Sequence, residues 1–434
     1  MQASSAAQLF QSDDALAAGA ARAAKAERTN AGDNFGAPIW PGMSADGTSR
    51  AQVKIISAAL WASRVWAGTS TGALLCIDLE QGTLVQRINA HRAPLSALGL
   101  CRVGQHTLLF SGSWDRAMNV WAVDDGGAAM VASVPEAAGD FIKTICVSAE
   151  HRVVLTGGSD KSARLWDISA LIAWTEVRNS DAPAPTLAAV IRNHTRPVTA
   201  IAVMPHAPGA MRSDAGVGAF DVFTADSMGR VVQSRISDGR ATAVRELDGN
   251  ETAVTDMRAV WRAVDASAER LDAGIDYEWA PDVWTASADK HVRRFPLAPS
   301  ARESSIRGRS SAAGAHAGSE LPIRADRALA HPESVGAVLP LGDVVVTTCD
   351  GDIWTWSDAP VVVEGHAHEV AFLGVWERAG EPWVVSAGLD GSVRRWALQM
   401  LRGGVPRKEG APCEGGAHDA MLTAEEEAEL AELM

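Results

Sequence analysis

Two short motifs in this sequence have residue types and spacings that could support catalysis or metal binding. Gly68-Thr69-Ser70-Thr71-Gly72 matches the G-x-S-x-G pattern, in which a turn from a strand into a helix exposes a nucleophilic serine. His366-Ala367-His368 offers two imidazoles to a metal, but no cysteine or carboxylate cluster lies nearby in sequence to complete a site. The sequence contains neither a phosphate-cradling Gly-Lys-Ser/Thr loop nor a dinucleotide-binding fingerprint. The chemistry of both motifs therefore depends on the elements that carry them.

An eleven-residue motif recurs seven times along the chain and indicates what those elements are. It starts with a small or hydroxyl-bearing residue, passes through a turn, and ends in its clear copies on a tryptophan or phenylalanine. Each clear copy has an aspartate at its fifth position, where the side chain can bond the amides of its own turn, so the motif predicts strand, tight turn, strand. The clear copies are Ser111 to Trp121, Thr156 to Trp166, Thr285 to Phe295, Val346 to Trp356 and Ser386 to Trp396, and the degenerate ones are Ala67 to Ile77 and Thr224 to Ser234.

The recurring motif removes the support for catalysis at Ser70. The G-x-S-x-G match lies inside the first copy, where a second predicted strand, and not a helix, follows the serine. His366 occupies a position that recurs ahead of other copies, which favours a structural role over metal binding. The sequence therefore predicts no catalytic residue, no metal and no cofactor.

The spacing of the motifs indicates the fold class. Where no insertion intervenes, consecutive motifs are about 40–45 residues apart, which is typical of propellers with four strands per repeat. Residues 52–400 resemble the Trp-Asp (WD) repeat family, most fully at Trp166-Asp167 and at the Gly365-His366 pair that precedes the last copy. The resemblance implies an all-β fold, a seven-bladed β-propeller of four-stranded antiparallel blades.

The resemblance also implies a hydrogen-bonded set in each blade, formed by a histidine ahead of the motif, a serine or threonine, the turn aspartate and the terminal tryptophan. His91 with Ser111 or Ser113, and His366 with Ser386, could belong to full sets. Buried carboxylates and imidazoles need partners, so a structural role is expected for these positions. The residues given this role are His91, Asp115, Trp121, Asp160, Trp166, Asp289, Asp350, Trp356, His366, Asp390 and Trp396.

In the WD-repeat family, partners commonly bind where the strand-connecting turns emerge. Trp114 is the leading candidate for such a contact, because tryptophan and arginine are enriched in binding hot spots. Packing of Trp114 against a neighbouring blade is the alternative. The other candidates beside turn aspartates are Arg116, Lys161, Lys290 and Leu389.

Segments outside the motifs suggest the domain organisation. We expect a flexible Ala-rich N-terminal arm over residues 1–50, the ring over 51–400 with a disordered Arg- and Ser-containing loop at 298–327, and a linker with an acidic helix over 401–434. In the tail, Thr423 and Glu426 form a capping box. The tail is either a solvated acidic segment or a helix that docks in a partner's groove through its apolar edge. That edge consists of Leu430, Leu433 and Met434.

Charge and cysteine content limit the partners and the compartment. The net charge of -14 disfavours nucleic acid as a ligand. Five scattered cysteines without paired spacing, and no secretory signal, predict a reducing interior, either cytoplasm or nucleus. No apolar run reaches the length of a membrane span, so no membrane partner is expected.

These observations favour a non-catalytic scaffold or adaptor that binds other proteins. The alternative is an enzyme, or a regulatory subunit of one, with its site in the central channel or in an insertion loop. Convergent titratable groups in the channel would favour the alternative. A channel without them, together with apolar patches on the rim, would favour the scaffold.

Overall fold

The computed structural model describes residues 20–25, 38–40 (backbone), 53–177, 181–208, 218–263, 279–297, 322–357 and 360–403. These residues form seven antiparallel sheets arranged as blades around a ring. The seven-bladed, mainly four-stranded fold expected from the repeat is confirmed.

The strands follow chain order around the ring except for β1, which belongs to the last blade, and β21, which belongs to blade 4. The first three blades contain one helix, α2, between the last two strands of blade 3. The elements of this half are α1 (20–25) and β1 (Pro38–Trp40), then β2 (Ile55–Trp61), β3 (Arg64–Thr69), β4 (Ala73–Asp78) and β5 (Leu84–Asn89) in blade 1, β6 (Ala97–Val103), β7 (His106–Gly112), β8 (Met118–Asp124) and β9 (Gly127–Val134) in blade 2, and β10 (Ile142–Ser148), β11 (Val153–Gly158), β12 (Ala163–Asp167), α2 (Ser169–Val177) and β13 (Thr186–Ile191) in blade 3.

The second half of the ring has one extra strand, β21, which extends blade 4 to five strands by pairing in parallel with β17. Its elements are β14 (Val198–Val203), β15 (Phe220–Asp226), β16 (Val231–Ser237), β17 (Arg240–Asp248) and β21 (Ile323–Arg324) in blade 4, β18 (Val254–Ala263), β19 (Trp279–Ser287), β20 (His291–Pro296) and β22 (Arg327–Ala330) in blade 5, β23 (Val335–Leu341), β24 (Val344–Cys349), β25 (Asp352–Trp356) and β26 (Pro360–Val363) in blade 6, and β27 (Val370–Arg378), β28 (Glu381–Gly388) and β29 (Val393–Ala397) in blade 7, followed by α3 (Leu398–Gly403).

Seven apolar clusters hold the ring together, one between each pair of neighbouring blades. Strands in the middle of a blade are covered on both faces, so their sequences are almost continuously apolar rather than alternating. Every residue of β11 is buried, whereas the outermost strand β5 has no buried residue. Trp66 and Trp121 pack in the cluster between blades 1 and 2, and Trp376 packs with Val65 between blades 7 and 1.

The N-terminal part of the chain closes the ring. β1 pairs antiparallel with β29 and so supplies the outermost strand of blade 7. The Lys25 ammonium of α1 lies 2.9 Å from an Asp352 carboxylate oxygen and donates to the Asp350 carbonyl at 2.7 Å. The predicted arm over 1–50 therefore includes ring residues. The three residues of β1 are too few to indicate a strand by their sequence pattern. The strand forms because it pairs with β29, which lies more than 300 residues later in the chain.

One other predicted boundary differs from the structure. Ile323 and Arg324 pair with Leu247 and Asp248, and β22 begins at Arg327, so the last residues of the predicted disordered loop 298–327 belong to strands. Residues 298–321 lie outside the described part of the chain. The same is true of the predicted acidic helix, whereas α3 directly follows the last strand. Among the described residues, no helix combines the length and apolarity needed to cross a membrane.

Glycine at the sixth motif position is required where the chain comes close to a neighbouring carbonyl. Gly391 has a φ of +76°, and a Cβ at this position would lie 2.3 Å from the Val53 carbonyl oxygen. We expect Gly391→Ala to lower the free energy of unfolding by about 2 kcal/mol or more, because a left-handed backbone and a backbone clash combine. Gly104 has a φ of +56° with open space around its Cα, so Gly104→Ala should cost only about 1 kcal/mol. Chemical denaturation measures both, and equal losses would contradict the role of the clash.

Candidate protein-binding face

The seven motif turns emerge at one end of the ring, together with the connections from each blade to the next. We call this end the turn face. The residue at the sixth motif position has a positive φ in all seven turns. Glycine fills four of these positions, at residues 72, 229, 351 and 391, while Arg116, Lys161 and Lys290 fill the other three.

Blades 2 and 7 contain complete hydrogen-bonded sets. His91 Nδ1 lies 3.0 Å from Asp115 Oδ2 and its Nε2 lies 2.8 Å from Ser111 Oγ, which also accepts from Trp121 Nε1 at 2.9 Å. The corresponding atoms of blade 7 are His366 with Asp390 at 3.1 Å and with Ser386 at 2.7 Å, and Trp396 Nε1 donates to Ser386 at 2.9 Å. Each set connects the turn face to the interior of its blade.

In blades 3 and 5 an arginine contacts the turn aspartate, where blades 2 and 7 use a histidine. Arg164 and Arg293, four residues after the turn aspartates, contact Asp160 at 2.6 Å and Asp289 at 2.7 Å. Trp166 Nε1 donates to Thr156 Oγ1 at 3.1 Å. Sequence reasoning missed both arginines, although each lies at the ninth motif position of a copy that lacks the preceding histidine.

Blades 4 and 6 depart from the expected positions in different ways. In blade 4, His194 bonds Asp226 at 2.9 Å and Thr224 at 2.8 Å, so an aspartate at the third motif position takes the place of one at the fifth. In blade 6, His331 Nε2 lies 2.8 Å from Thr347 Oγ1 and Trp356 Nε1 donates to the same oxygen at 3.0 Å.

Asp350 is outside the hydrogen-bonded set of blade 6. The His331 Nδ1 lies 3.2 Å from the Leu329 carbonyl oxygen and not against a carboxylate. Asp350 is exposed and has a φ of 46°. The expected contact between the turn aspartate and the histidine of its blade is therefore replaced in blade 6 by a contact between His331 and a backbone carbonyl.

The histidines of these sets are held neutral, and the carboxylates of Asp115 and Asp390 are held anionic. Burial lowers the pKa of His91, His194 and His366 despite their aspartate partners. Burial would raise the pKa of Asp390, but His366 and the Ser392 hydrogen bonds outweigh it and hold that pKa well below its usual value. A neutral imidazole donating to a carboxylate is a positioning contact.

An exposed aromatic pair lies on the turn face between blades 2 and 3. The rings of Trp114 and Phe141 are stacked, with centroids 5.2 Å apart and planes 15° from parallel. Trp114 is 42% exposed and Phe141 43%. Trp114 thus contacts a residue that leads into the next blade while much of its ring stays in solvent. Sequence reasoning missed Phe141, because nothing in its local pattern marks it as the neighbour of a turn 27 residues earlier.

Backbone hydrogen bonds fix the segments that carry the aromatic pair. Ile142 N donates to Ser113 O at 3.2 Å, and Ser159 N donates to Phe141 O at 2.9 Å. Gly139 N donates to Asp160 Oδ2 at 2.7 Å. The segment 139–141 is therefore tied to the turns of both blade 2 and blade 3, and the aromatic pair has a rigid base.

The turns of blades 2 and 3, which hold the aromatic pair, each carry one basic residue. Arg116 and Lys161 are exposed, with φ values of 73° and 65°. Within the part of the chain that the structure describes, neither side chain makes a hydrogen bond or ion pair. A left-handed backbone conformation is uncommon for a residue other than glycine and costs free energy. A basic side chain kept at such a position is therefore a candidate for a function.

The other candidate binding residues are placed differently. Lys290 donates to the Pro332 carbonyl at 2.7 Å and lies 3.3 Å from Glu333, so its charge is already paired. Leu389 is half-buried on the turn of blade 7. Leu430, Leu433 and Met434 lie outside the described residues.

The central channel contains a cavity of about 510 Å³ lined mainly by the innermost strands. Asp256 accepts from Val338 N at 3.1 Å and from Met257 N at 2.9 Å, and lies 3.3 Å from Arg258. Burial raises the pKa of Cys146 to about 11, which keeps this thiol protonated. No histidine is among the described residues that line the cavity. Among these described lining residues, Asp256 and Arg258 form a local pair, while Lys143 and the protonated Cys146 lie on β10.

Comparisons with known proteins agree with this geometry. The family model described as WD domain, G-beta repeat, matches residues 131–167, which end at the Trp166-Asp167 dipeptide. An uncharacterized WD repeat-containing protein of Schizosaccharomyces pombe is 22% identical over 369 residues, 82% of this chain and 80% of the yeast protein. Together with the seven blades of the ring, these matches support a WD-repeat family with its subfamily unidentified.

Proposed function

We propose that the protein is a non-catalytic scaffold or adaptor of an intracellular complex, and that it binds a partner protein at Trp114 and Phe141. WD-repeat propellers generally mediate protein–protein interactions. The single observation that carries the proposal is the exposed, stacked aromatic pair on a rigid part of the turn face. Buried aromatic anchors dominate the energy of many interfaces, and a fixed ring loses little conformational entropy on binding.

The surroundings of the pair indicate the chemistry of the partner. Arg116 and Lys161 place two unpaired positive charges on the turns of blades 2 and 3 of a protein whose net charge is -14. A partner segment with an apolar side chain for the rings and carboxylates for the two cations would complement this surface. The overall acidity argues against nucleic acid as the main ligand.

The channel supports the non-catalytic part of the proposal. Asp256 is occupied by two backbone amides and Arg258, and the protonated thiol of Cys146 is a poor nucleophile. These groups lack the convergent acid, base and nucleophile that an active site needs.

Trp114→Ala is expected to weaken the main interaction by about 2 kcal/mol or more, which is the effect of removing a hot-spot residue. The thermal stability of the propeller should change little, because the ring is exposed. Crosslinking mass spectrometry and quantitative affinity purification of the tagged protein from its native cell identify the partner, and titration with the purified partner gives the affinity.

The matched control is Trp279→Ala, which removes a tryptophan that is 37% exposed in blade 5. Phe141→Ala should reproduce the effect of Trp114→Ala, whereas deletion of residues 422–434 tests the tail as a separate anchor. A loss of stability in Trp114→Ala with unchanged affinity would identify Trp114 as a packing residue and remove this face as the binding site.

A further inference from the structure

A cluster of three potential metal ligands lies at the end of the ring opposite to the turn face. Glu150 and His151 form the turn between β10 and β11 of blade 3, and His206 follows β14 of blade 4. One ligand atom from each of the three lies within 4.8 Å of the others. Two imidazoles and one carboxylate form a donor set that binds zinc in proteins, with water in the fourth position.

The His151 ring is fixed with one nitrogen available to a ligand. His151 is only 3% exposed and stacks on Phe220 with ring centroids 4.3 Å apart. Its Nε2 lies 3.1 Å from the Met204 carbonyl oxygen, to which it donates. That bond leaves the lone pair on Nδ1, for which the described residues provide no hydrogen-bond partner. Metal-binding histidines are commonly oriented in this way by a carbonyl on the other nitrogen.

The other two side chains lie beside the His151 ring and are exposed, so they have room to adjust. The His151 and His206 ring centroids are 4.4 Å apart. His206 N donates to Glu150 Oε2 at 2.7 Å, which holds the carboxylate beside the second imidazole. Glu150 and His206 are both exposed. Bonds to zinc of about 2.0–2.2 Å require ligand atoms roughly 3.5 Å apart, and rotation of these two side chains can bring them there.

We propose that Glu150, His151 and His206 bind one zinc ion, with His151 coordinating through Nδ1. The ion connects the β10–β11 turn of blade 3 to the segment after β14 of blade 4. The site is independent of the aromatic pair, and the proposed scaffold function does not depend on it.

The test is a competition between the full-length protein and a chromogenic zinc chelator. Wild type is expected to bind one zinc ion more tightly than either Glu150→Gln or His206→Ala, with at least about a tenfold loss of affinity in each. Both substitutions change exposed side chains, so they avoid the loss of packing that His151→Ala would cause. His368→Ala, which removes a half-buried histidine on the turn face, serves as control and should retain wild-type affinity.

X-ray absorption at the zinc edge gives a second readout on the wild-type complex. Two imidazoles and only nitrogen or oxygen ligands are expected. Equal zinc affinity in wild type and both variants, a sulfur ligand in the absorption spectrum, or no saturable zinc binding by wild type would each overturn the proposal.

Discussion

Replacing Trp396 by alanine is expected to lower the free energy of unfolding by about 3–5 kcal/mol, the usual cost of truncating a buried aromatic residue. Trp396 is fully buried between blades 6 and 7, and its Nε1 donates to Ser386 Oγ. The substitution leaves a cavity at a blade interface and removes one donor from a complete hydrogen-bonded set. Urea denaturation followed by circular dichroism measures the loss.

Trp279→Ala is the matched control for this experiment as well, because the same side chain is removed from a partly exposed position. Its expected effect is small by comparison. A similar loss in the two variants would mean that the tryptophans at motif ends have no special role in holding neighbouring blades together.

Stability is expected to fall steeply as the pH is lowered from about 6.5 towards 4. Burial lowers the pKa of His91, His194 and His366, and lowers that of His331 to about 4. In the unfolded chain these histidines bind protons near their ordinary pKa of about 6.5. The unfolded state therefore takes up more protons in this window, and each such proton costs about 1.4 kcal/mol of stability per pH unit. Asp390, whose pKa is lowered, adds a loss in the same direction below about pH 4.

The pH dependence can be assigned to a single blade with His331→Gln. This variant has one titrating group fewer in blade 6, so its stability should depend on pH by about one proton less than that of wild type between pH 6 and 4.5. Denaturant titrations at a series of pH values give the slope for each protein. An unchanged slope would show that His331 is protonated to the same extent in the folded and unfolded chains.

The regular features of the fold could be predicted because the sequence of each repeat contains the signals for its own strands and turn. The alternating residues, the turn aspartate and the terminal aromatic residue identify strands and turns within eleven residues. The number of copies gives the number of blades, and their spacing indicates four strands in each. His91 and His366 could be matched to Asp115 and Asp390 because their separation is the same in both blades.

Features that depend on contacts between distant segments could not be predicted. Nothing near Phe141 indicates that it stacks on Trp114, and His151 and His206 belong to different blades. The replacement of histidine by Arg164 shows a second reason. A turn aspartate can be contacted by a histidine that precedes it in sequence or by an arginine that follows it, so sequence position alone does not identify the partner.

The pairing of β1 with β29 has a consequence for the order of events during synthesis. Pro38 and Arg394 are partners in this sheet, so the first strand leaves the ribosome roughly 350 residues before the strand that it completes, or about 20–70 s earlier at ordinary elongation rates. Six blades can form in that interval, but the seventh cannot. Until β29 is made, β1 offers unpaired amides and carbonyls to any other chain, and neighbouring nascent copies on one messenger are the nearest competitors for it.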